Sequence, residues 1–424
     1  MDKLTVIGGK PLNGTIRISG AKNAALPLMC ASLLTDETLC ITNLPDLADI
    51  KTLSKVLAEL GIGSELNHSD DGDTTLKLKA NQKINTTAPY DMVRTMRASI
   101  LVLGPLVARY GHAKVSLPGG CAIGNRPIDL HIKGLEELGA TIHLEDGYVI
   151  AEAPNGLTGA TVRIPMISVG ATENILMAAT LASGTTNIEN AAREPEITNL
   201  AHCLNAMGAN IEGIGSDTLI IQGVAKLHRA KIAVIADRIE AGSYAIAGAL
   251  TKGTLKLTHV DNNIMSATLS ALKDIGVNIS VEGDSITVGD HDAPLKSIDF
   301  NTQPYPGLAT DMQAQLMSLL SLTNGTSVIT ETIFENRFMH VPELSRMGAD
   351  ITTSGKVATI RGVKNLRGAE VMATDLRASM SLVLAALAAE GETTIHRVYH
   401  LDRGYEKLEK KLNQVGASVV RGTE

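Results

Sequence analysis

Leu204-Asn205-Ala206-Met207-Gly208-Ala209 reads as the end of an amphipathic helix, a glycine cap and the entry to a strand. The same phrase, Leu-x-x-(apolar)-Gly-(small or apolar), recurs as Leu57-Ala-Glu-Leu-Gly61-Ile62, Leu135-Glu-Glu-Leu-Gly139-Ala140, Leu272-Lys-Asp-Ile-Gly276-Val277, Leu344-Ser-Arg-Met-Gly348-Ala349 and Leu412-Asn-Gln-Val-Gly416-Ala417. Successive glycines stand 78, 69, 68, 72 and 68 residues apart. The longest interval holds the polar stretch His68-Ser-Asp-Asp-Gly-Asp73, which reads as a hairpin insertion. A period of about 70 residues is too long for a thin solenoid and points to a pseudo-symmetric domain.

A second element alternates with the first. It is a helix rich in Ala, Ser and Leu, followed by a turn such as Ser183-Gly-Thr-Thr, Thr251-Lys-Gly-Thr, Thr323-Asn-Gly-Thr or Glu390-Gly-Glu-Thr and then a short strand. Its copies begin near Ser19-Gly-Ala-Lys22, Arg94-Thr-Met-Arg97, Ser168-Val-Gly170, Asp237-Arg238, Thr310-Asp311 and Asp375-Leu-Arg377. Residues 241–250 and 382–389 are apolar all round, which predicts burial. Helices inside and sheets outside would invert the usual barrel, an arrangement that periodicity alone does not establish. A chain of 424 residues exceeds one ordinary core, and six units divide naturally into two domains of three.

Composition narrows the function. The chain is 44% hydrophobic and 20% charged, as globular proteins are. A net charge of −7, without a long basic block, disfavours a nucleic-acid surface, and the absence of Trp with only three Phe leaves few stacking platforms. Cys30, Cys40, Cys121 and Cys203 lack metal-ligand spacing. The opening Met1-Asp-Lys-Leu-Thr-Val-Ile-Gly-Gly9 lacks the apolar core of a signal peptide, and the most apolar stretch, near 380–389, is too short for a membrane span. A cytoplasmic location with free thiols is the resulting expectation.

Polar residues gather where the apolar helices start: Lys22, Asn23, Arg97, Ser168, Arg238, Asp311 and Arg377. Helix N-termini carry unpaired N–H groups and bind phosphate and carboxylate, so several of them facing one cleft would make an anion trap. Arg126, Arg337 and Arg403 stand in turn-like contexts and could join it; alternatively, each arginine pairs with a surface carboxylate. Asp311 is an acid where its counterparts are basic or neutral. It could be a helix N-cap, with Thr310 as an alternative cap, or a general base for a hydroxyl. Residues 118–127, Pro-Gly-Gly-Cys-Ala-Ile-Gly-Asn-Arg-Pro, place Cys121 in a glycine-rich loop with a cation five residues away. A thiol so placed suits an acid or nucleophile acting on an anion, or is an incidental cysteine in a turn.

Seven strings in order carry a specific resemblance: Ser19-Gly-Ala-Lys-Asn-Ala24, Thr95-Met-Arg97-Ala-Ser, the Cys121 loop, Ala309-Thr-Asp-Met-Gln-Ala314, Phe334-Glu-Asn-Arg-Phe-Met-His340, Thr374-Asp-Leu-Arg-Ala378 and Leu401-Asp-Arg-Gly-Tyr405. Over nearly its whole length the chain resembles the UDP-N-acetylglucosamine 1-carboxyvinyltransferase family of enolpyruvyl transferases. The resemblance implies an α/β fold: a two-domain inside-out α/β barrel of six two-helix, multi-strand repeats, three per domain. Residues 22–235 would form an N-terminal domain carrying the Cys121 loop. Residues 1–21 and 236–424 would form the C-terminal domain, with the active site in the cleft between them.

The resemblance also implies a reaction, the transfer of the enolpyruvyl group of phosphoenolpyruvate to the 3-hydroxyl of UDP-N-acetylglucosamine with release of phosphate. This is the first committed step of peptidoglycan synthesis, and so bears on cell shape and division, and it is the target of fosfomycin. By matching position, Cys121 is the general acid and Asp311 the base. Lys22, Asn23, Arg97, Cys121 and Arg403 would hold phosphoenolpyruvate. Arg97, Arg126, Pro127, Ile128, Asp129, Leu130, Ser168, Val169, Gly170, Asp311 and Ile333 would hold the UDP-sugar. Arg337, Asp375 and Arg377 would form a supporting charge network. No metal or organic cofactor is implied, no nucleic-acid or membrane partner is expected, and a monomer is favoured. Met166 departs from the pattern, because many relatives carry lysine there. The rivals are 5-enolpyruvylshikimate-3-phosphate synthase, a silent UDP-sugar-binding relative and an RNA 3′-phosphate cyclase. The Cys121 loop argues against the first, retention of Cys121, Asp311, Lys22 and Arg403 against the second, and charge and aromatic content against the third.

Overall fold

The structure is a computed structural model that describes residues 2–69, 73–81, 83–93, 96–117, 128–289 and 293–423. Cys121, Arg126 and Pro127 lie outside the described residues. The described chain divides into two compact units, one of residues 2–19 and 236–423, the other of residues 20–117 and 128–235.

Each unit contains three four-stranded sheets, and all six are built alike. One example serves for the rest. Strand Thr87–Ala88 runs parallel to His112–Ser116, and between them lie the 3-10 turn Arg97–Val102 and the helix Leu103–Tyr110. The helix Asp129–Glu137 then leads into the hairpin of Thr141–Glu145 and Tyr148–Glu152, whose second strand pairs antiparallel with His112–Ser116. Every sheet repeats this one parallel pair. Parallel neighbours need a crossover, and in four of the six sheets the apolar helix supplies it.

Three strands complete repeats whose other parts lie far along the chain. Asp2–Ile7 pairs with both Glu392–His396 and Ser418–Thr423, closing the last repeat. Gly14–Arg17 runs parallel to Leu255–Thr258, and Ala230–Ala233 runs parallel to Leu39–Thr42.

The repeated glycine has a conformational cause. Gly61, Gly139, Gly208, Gly276, Gly348 and Gly416 all lie at φ between 93° and 102°, where a Cβ is disfavoured. Beyond five of them the next amide reaches back to the phrase's leucine, as Ala140 N does to Leu135 O at 3.0 Å and Val277 N to Leu272 O at 2.9 Å. That six-residue return satisfies carbonyls left open at the helix end. Of the polar stretch 68–73, residues 70–72 lie outside the described residues; the flanking strands Ile62–His68 and Thr74–Ala80 pair with each other and have seven residues each, against five in the neighbouring repeat.

The apolar helices are buried as their composition predicts. Leu376–Ala388 is buried from Arg377 to Leu387, and Arg238–Thr251 from Ile239 to Ala249. With Gln313–Leu320 these helices pack on one another. Small residues permit the approach: a Cβ on Gly242 would sit 2.8 Å from the Met312 Cε. Sheet strands such as Thr326–Thr330 alternate exposed and buried, turning one face to the helices and the other to solvent. Helices inside and sheets outside define the inside-out α/β barrel. Four of the six helices start within a residue of Lys22, Ser168, Asp237 and Asp375, whereas the Arg97 and Thr310 copies begin as 3-10 turns.

Because a Cβ on Gly348 meets nothing within 4 Å, the Gly348→Ala variant isolates the cost of the left-handed backbone. Urea unfolding of the variant is expected to show a loss of about 1–2 kcal/mol; an unchanged midpoint would contradict the capping account.

Candidate active site

In the unit of residues 236–423, Asp311 lies in the 3-10 turn Thr310–Met312. The residue at the cap position is Ala309 and makes no side-chain cap, so neither Asp311 nor Thr310 serves as the N-cap that the sequence allows. The Asp311 carboxylate instead meets two arginines. Arg337 Nη2 donates to its Oδ1 at 2.6 Å, and Arg377 Nε lies 3.4 Å from the same oxygen. Both guanidinium side chains are under 7% exposed, while Asp311 keeps 28% of its side chain accessible. Burial works against the charge on Arg377, but the Asp311 carboxylate, then Tyr405 and Asp237, outweigh it and raise its pKa. Arg337 also lies over the Phe334 ring, 5.5 Å from the centroid. The result is a half-open carboxylate backed by two buried cations. Neither arginine is the surface ion pair considered from sequence.

Asp375, which the resemblance places in a supporting charge network, also caps a helix. Its carboxylate caps the helix Leu376–Ala388, accepting from the amides of Arg377 at 2.8 Å and Ala378 at 3.1 Å. Arg403 is half-buried at the end of the 3-10 turn Val398–Arg403. Ile333 is 37% exposed, and its amide donates to the buried Glu331 carboxylate at 2.8 Å. That carboxylate also accepts from Phe334 N at 3.2 Å, Thr302 Oγ1 at 2.9 Å and Thr310 Oγ1 at 2.8 Å. Glu331 thus ties the turn bearing Asp311 to the loop bearing Ile333.

The unit of residues 20–235 holds the other set. Lys22 opens the helix Lys22–Ala31, and its Nζ lies 3.2 Å from Oδ2 of the buried Asp49, with the exposed Asn23 beside it. Ser168 caps Val169–Ala179, its Oγ accepting from Ala171 N at 3.3 Å. Val169 and Gly170 form the first turn, and a Cβ on Gly170 would sit 3.1 Å from Cε1 of His131, so the ring fills the space a side chain would need. Ile128 precedes the helix Asp129–Glu137 and is buried, whereas Asp129 is exposed and Leu130 half-buried. Arg97 is half-buried at the start of its turn. Met166 is 67% exposed.

His131 is held neutral. Gly104 N donates to Asn174 Oδ1 at 2.6 Å, which orients that amide, and Asn174 Nδ2 then faces His131 Nδ1 at 3.1 Å. Nδ1 is therefore the acceptor and the proton sits on Nε2. Burial first, and the nearby Arg97 second, lower the His131 pKa to about 3.

Asp49, Glu331, His131 and Tyr405 escaped the sequence reading as functional residues. Asp49 sits in the first turn of a helix, where acids are common, and carries no distinguishing signal. Glu331 sits in a loop where nothing in its neighbours announces a buried acid. Tyr405 closes the Leu401–Tyr405 string, so its place was marked without its role. Among the described residues, no group of three or more His, Cys, Asp or Glu is placed to hold a metal. No helix among them is long and apolar enough to cross a membrane.

The sheets and buried helices define an inside-out α/β barrel that carries an arginine-backed carboxylate, and comparison with known proteins places this fold among transferases. Residues 6–412 match the EPSP synthase (3-phosphoshikimate 1-carboxyvinyltransferase) family, and the chain belongs to it. Among curated relatives, the UDP-N-acetylglucosamine 1-carboxyvinyltransferase of Paramagnetospirillum magneticum is 58% identical over 425 residues, covering 99% of this chain and 98% of the relative. That of Zymomonas mobilis is 59% identical over 424 residues, covering 99% of both. Among solved structures, the enolpyruvyl transferase NikO of Streptomyces tendae aligns with a TM-score of 0.90 at 26% identity, over 100% of this chain and 99% of that one. EPSP synthase of Acinetobacter baumannii aligns with a TM-score of 0.80 at 21% identity over the full length of both, a likeness of fold.

Two predictions follow from the geometry. Arg337→Met is expected to lower stability by about 1.5–3 kcal/mol, because a charged hydrogen bond to Asp311 is lost, and urea unfolding measures this; an unchanged midpoint would contradict the pairing. His131 has an ordinary pKa of 6.5 and a folded pKa of about 3, so the unfolded chain binds its proton first. Its effect is absent above pH 6.5, and stability falls as the pH drops from there toward 3. In His131→Gln the acid dependence of the urea midpoint should be shallower by one proton; an identical slope would mean that the ring is not buried as neutral.

Proposed function

We propose that this chain transfers the enolpyruvyl group of phosphoenolpyruvate to the 3-hydroxyl of UDP-N-acetylglucosamine and releases phosphate, supplying peptidoglycan synthesis from the cytoplasm as a monomer. The observation that carries the reading is identity of 58–59% over essentially the full length with relatives bearing that enzyme name. The chemistry of the site supports it, for the transfer needs a base near one substrate and preorganised cations near the other.

In the proposed addition, the carboxylate of Asp311 accepts the proton of the sugar 3-hydroxyl as its oxygen bonds to C2 of phosphoenolpyruvate. The Cys121 thiol delivers a proton to C3, which makes C2 electrophilic. The tetrahedral adduct then loses a proton from C3, the C2–O bond to phosphate breaks, and the double bond re-forms. Lys22, Arg97 and Arg403 balance the phosphate and carboxylate charges, with Asn23 beside Lys22. Arg337 and Arg377 orient Asp311. Arg126, Pro127, Ile128, Asp129 and Leu130 with Ser168, Val169, Gly170 and Ile333 hold the UDP-sugar. Exposed Met166 offers no cation, so either one diphosphate contact is missing in this chain or another cation replaces it. Asp311 and Arg403 belong to one unit, Lys22 and Arg97 to the other.

Two of the other three thiols are poorly suited to the role proposed for Cys121. Burial, then the nearby Glu173, raises the Cys30 pKa, and burial raises that of Cys203 to about 12, so both remain thiols near neutrality.

Phosphate release from phosphoenolpyruvate is expected with UDP-N-acetylglucosamine and not with shikimate 3-phosphate; the reverse preference, or no release, would overturn the reading. Asp311→Asn should lower kcat by about 10²–10⁴-fold. Mass spectrometry after fosfomycin treatment should place the adduct on Cys121, and an adduct on Cys30, Cys40 or Cys203 would remove Cys121 from its role.

A further inference from the structure

The hydroxyl of Tyr405 lies where three buried helices of its unit meet. Tyr405 is 1% exposed. Its Oη is 3.0 Å from Ser243 Oγ on Arg238–Thr251, 3.2 Å from Gln315 Nε2 on Gln313–Leu320 and 3.4 Å from Arg377 Nη1 on Leu376–Ala388. The proton directions follow from the partners. Ser243 Oγ donates to Ile239 O at 2.7 Å, so it accepts from Tyr405. That commits the phenol proton and leaves both Oη lone pairs facing donors, the Gln315 amide and the Arg377 guanidinium. The opposite orientation of the Gln315 amide would set an oxygen against Tyr405 and Ser243, neither of which has a proton left to give. Burial raises the phenol pKa above its usual range, so Tyr405 stays a neutral hydroxyl.

The adjoining backbone rests on the same helix start. A Cβ on Gly404 would meet Leu376 Cδ2 at 2.6 Å, so only glycine leaves that side chain unmoved. Arg403-Gly404-Tyr405 is therefore docked on Leu376-Arg377, and Arg377 in turn lies 3.4 Å from Asp311.

We propose that Tyr405 is a positioning residue for the transfer reaction: its hydroxyl sets the Arg377 guanidinium against Asp311, and its docking with Gly404 holds the Arg403 segment on the same helix start. The inference rests on the proposed enolpyruvyl transfer. A phenol that served packing alone could become Phe at a cost in stability only.

The test compares Tyr405→Phe with Tyr244→Phe in the full chain. Tyr244 is buried in the same core beside Ser243, and its hydroxyl has no hydrogen-bond partner among the described residues. Tyr405→Phe is expected to lower kcat by about 10–100-fold while KM for UDP-N-acetylglucosamine stays within about threefold, because misplacing a catalytic group by about an ångström costs this much. Tyr244→Phe should leave kcat within about twofold, and in an Arg377→Lys background Tyr405→Phe should cost less than about threefold more, as coupled sites do. A crystal structure of Tyr405→Phe should show the Arg377 guanidinium withdrawn from Asp311. Unchanged kcat with only a lower melting temperature, equal losses in the two Phe variants, additive effects with Arg377→Lys, or an unmoved Arg377 would each overturn the proposal. If the unmodified protein releases no phosphate, the transfer reading falls, and the position of Arg377 still decides the part played by Tyr405.

Discussion

Packing helices against one another at the centre of a unit drives their polar groups to the helix ends. Along Leu376–Ala388 burial is continuous from the first turn to the last, so Ala, Ser and Leu fill it. The first turn differs, because its amides lack partners within the helix and charged side chains can stand there. Asp375 answers two of those amides, and Arg377, one residue into the helix, points its charge at Asp311 on the neighbouring turn. The interior that excludes charge elsewhere thus concentrates it at one end.

Concentrated charge needs internal balance. Two guanidinium groups under 7% exposed would be costly alone, and one shared carboxylate compensates them. Tyr405, Ser243 and Gln315 supply further hydrogen bonds around Arg377, and Glu331 collects four donors around the neighbouring turn. In the other unit, Asn174 performs a comparable service by turning a buried histidine into a neutral acceptor. Such networks favour one geometry because most alternatives leave further buried polar groups open, although Gln315 Oε1 already lacks a hydrogen-bond partner among the described residues.

Much of this was legible in the sequence, for identifiable reasons. The six cap glycines announced the repeat because a left-handed helix end excludes nearly every other residue, and all six adopt that conformation. The starts of the buried helices were legible because a polar residue interrupting an apolar run is conspicuous. What escaped depended on distance along the chain. The resemblance implied that residues 1–21 join residues 236–424, but the pairing of Asp2–Ile7 with strands near the C-terminus is encoded by no local pattern. Thr310 and Glu331 are 21 residues apart and Asp311 and Arg337 are 26 apart, so it is the fold that removes the N-cap reading of Asp311 and pairs its carboxylate instead. Polarity at 68–73 marks an excursion without saying whether it adds strands or lengthens them.

The central claim is that the carboxylate at 311, braced by two buried arginines, meets the hydroxyl that attacks. A crystal structure with UDP-N-acetylglucosamine bound tests it most directly. The account predicts the sugar 3-hydroxyl within about 2.6–3.2 Å of an Asp311 oxygen while Arg337 and Arg377 keep their places. A bound sugar whose 3-hydroxyl points away from Asp311, toward another base or open solvent, would contradict it.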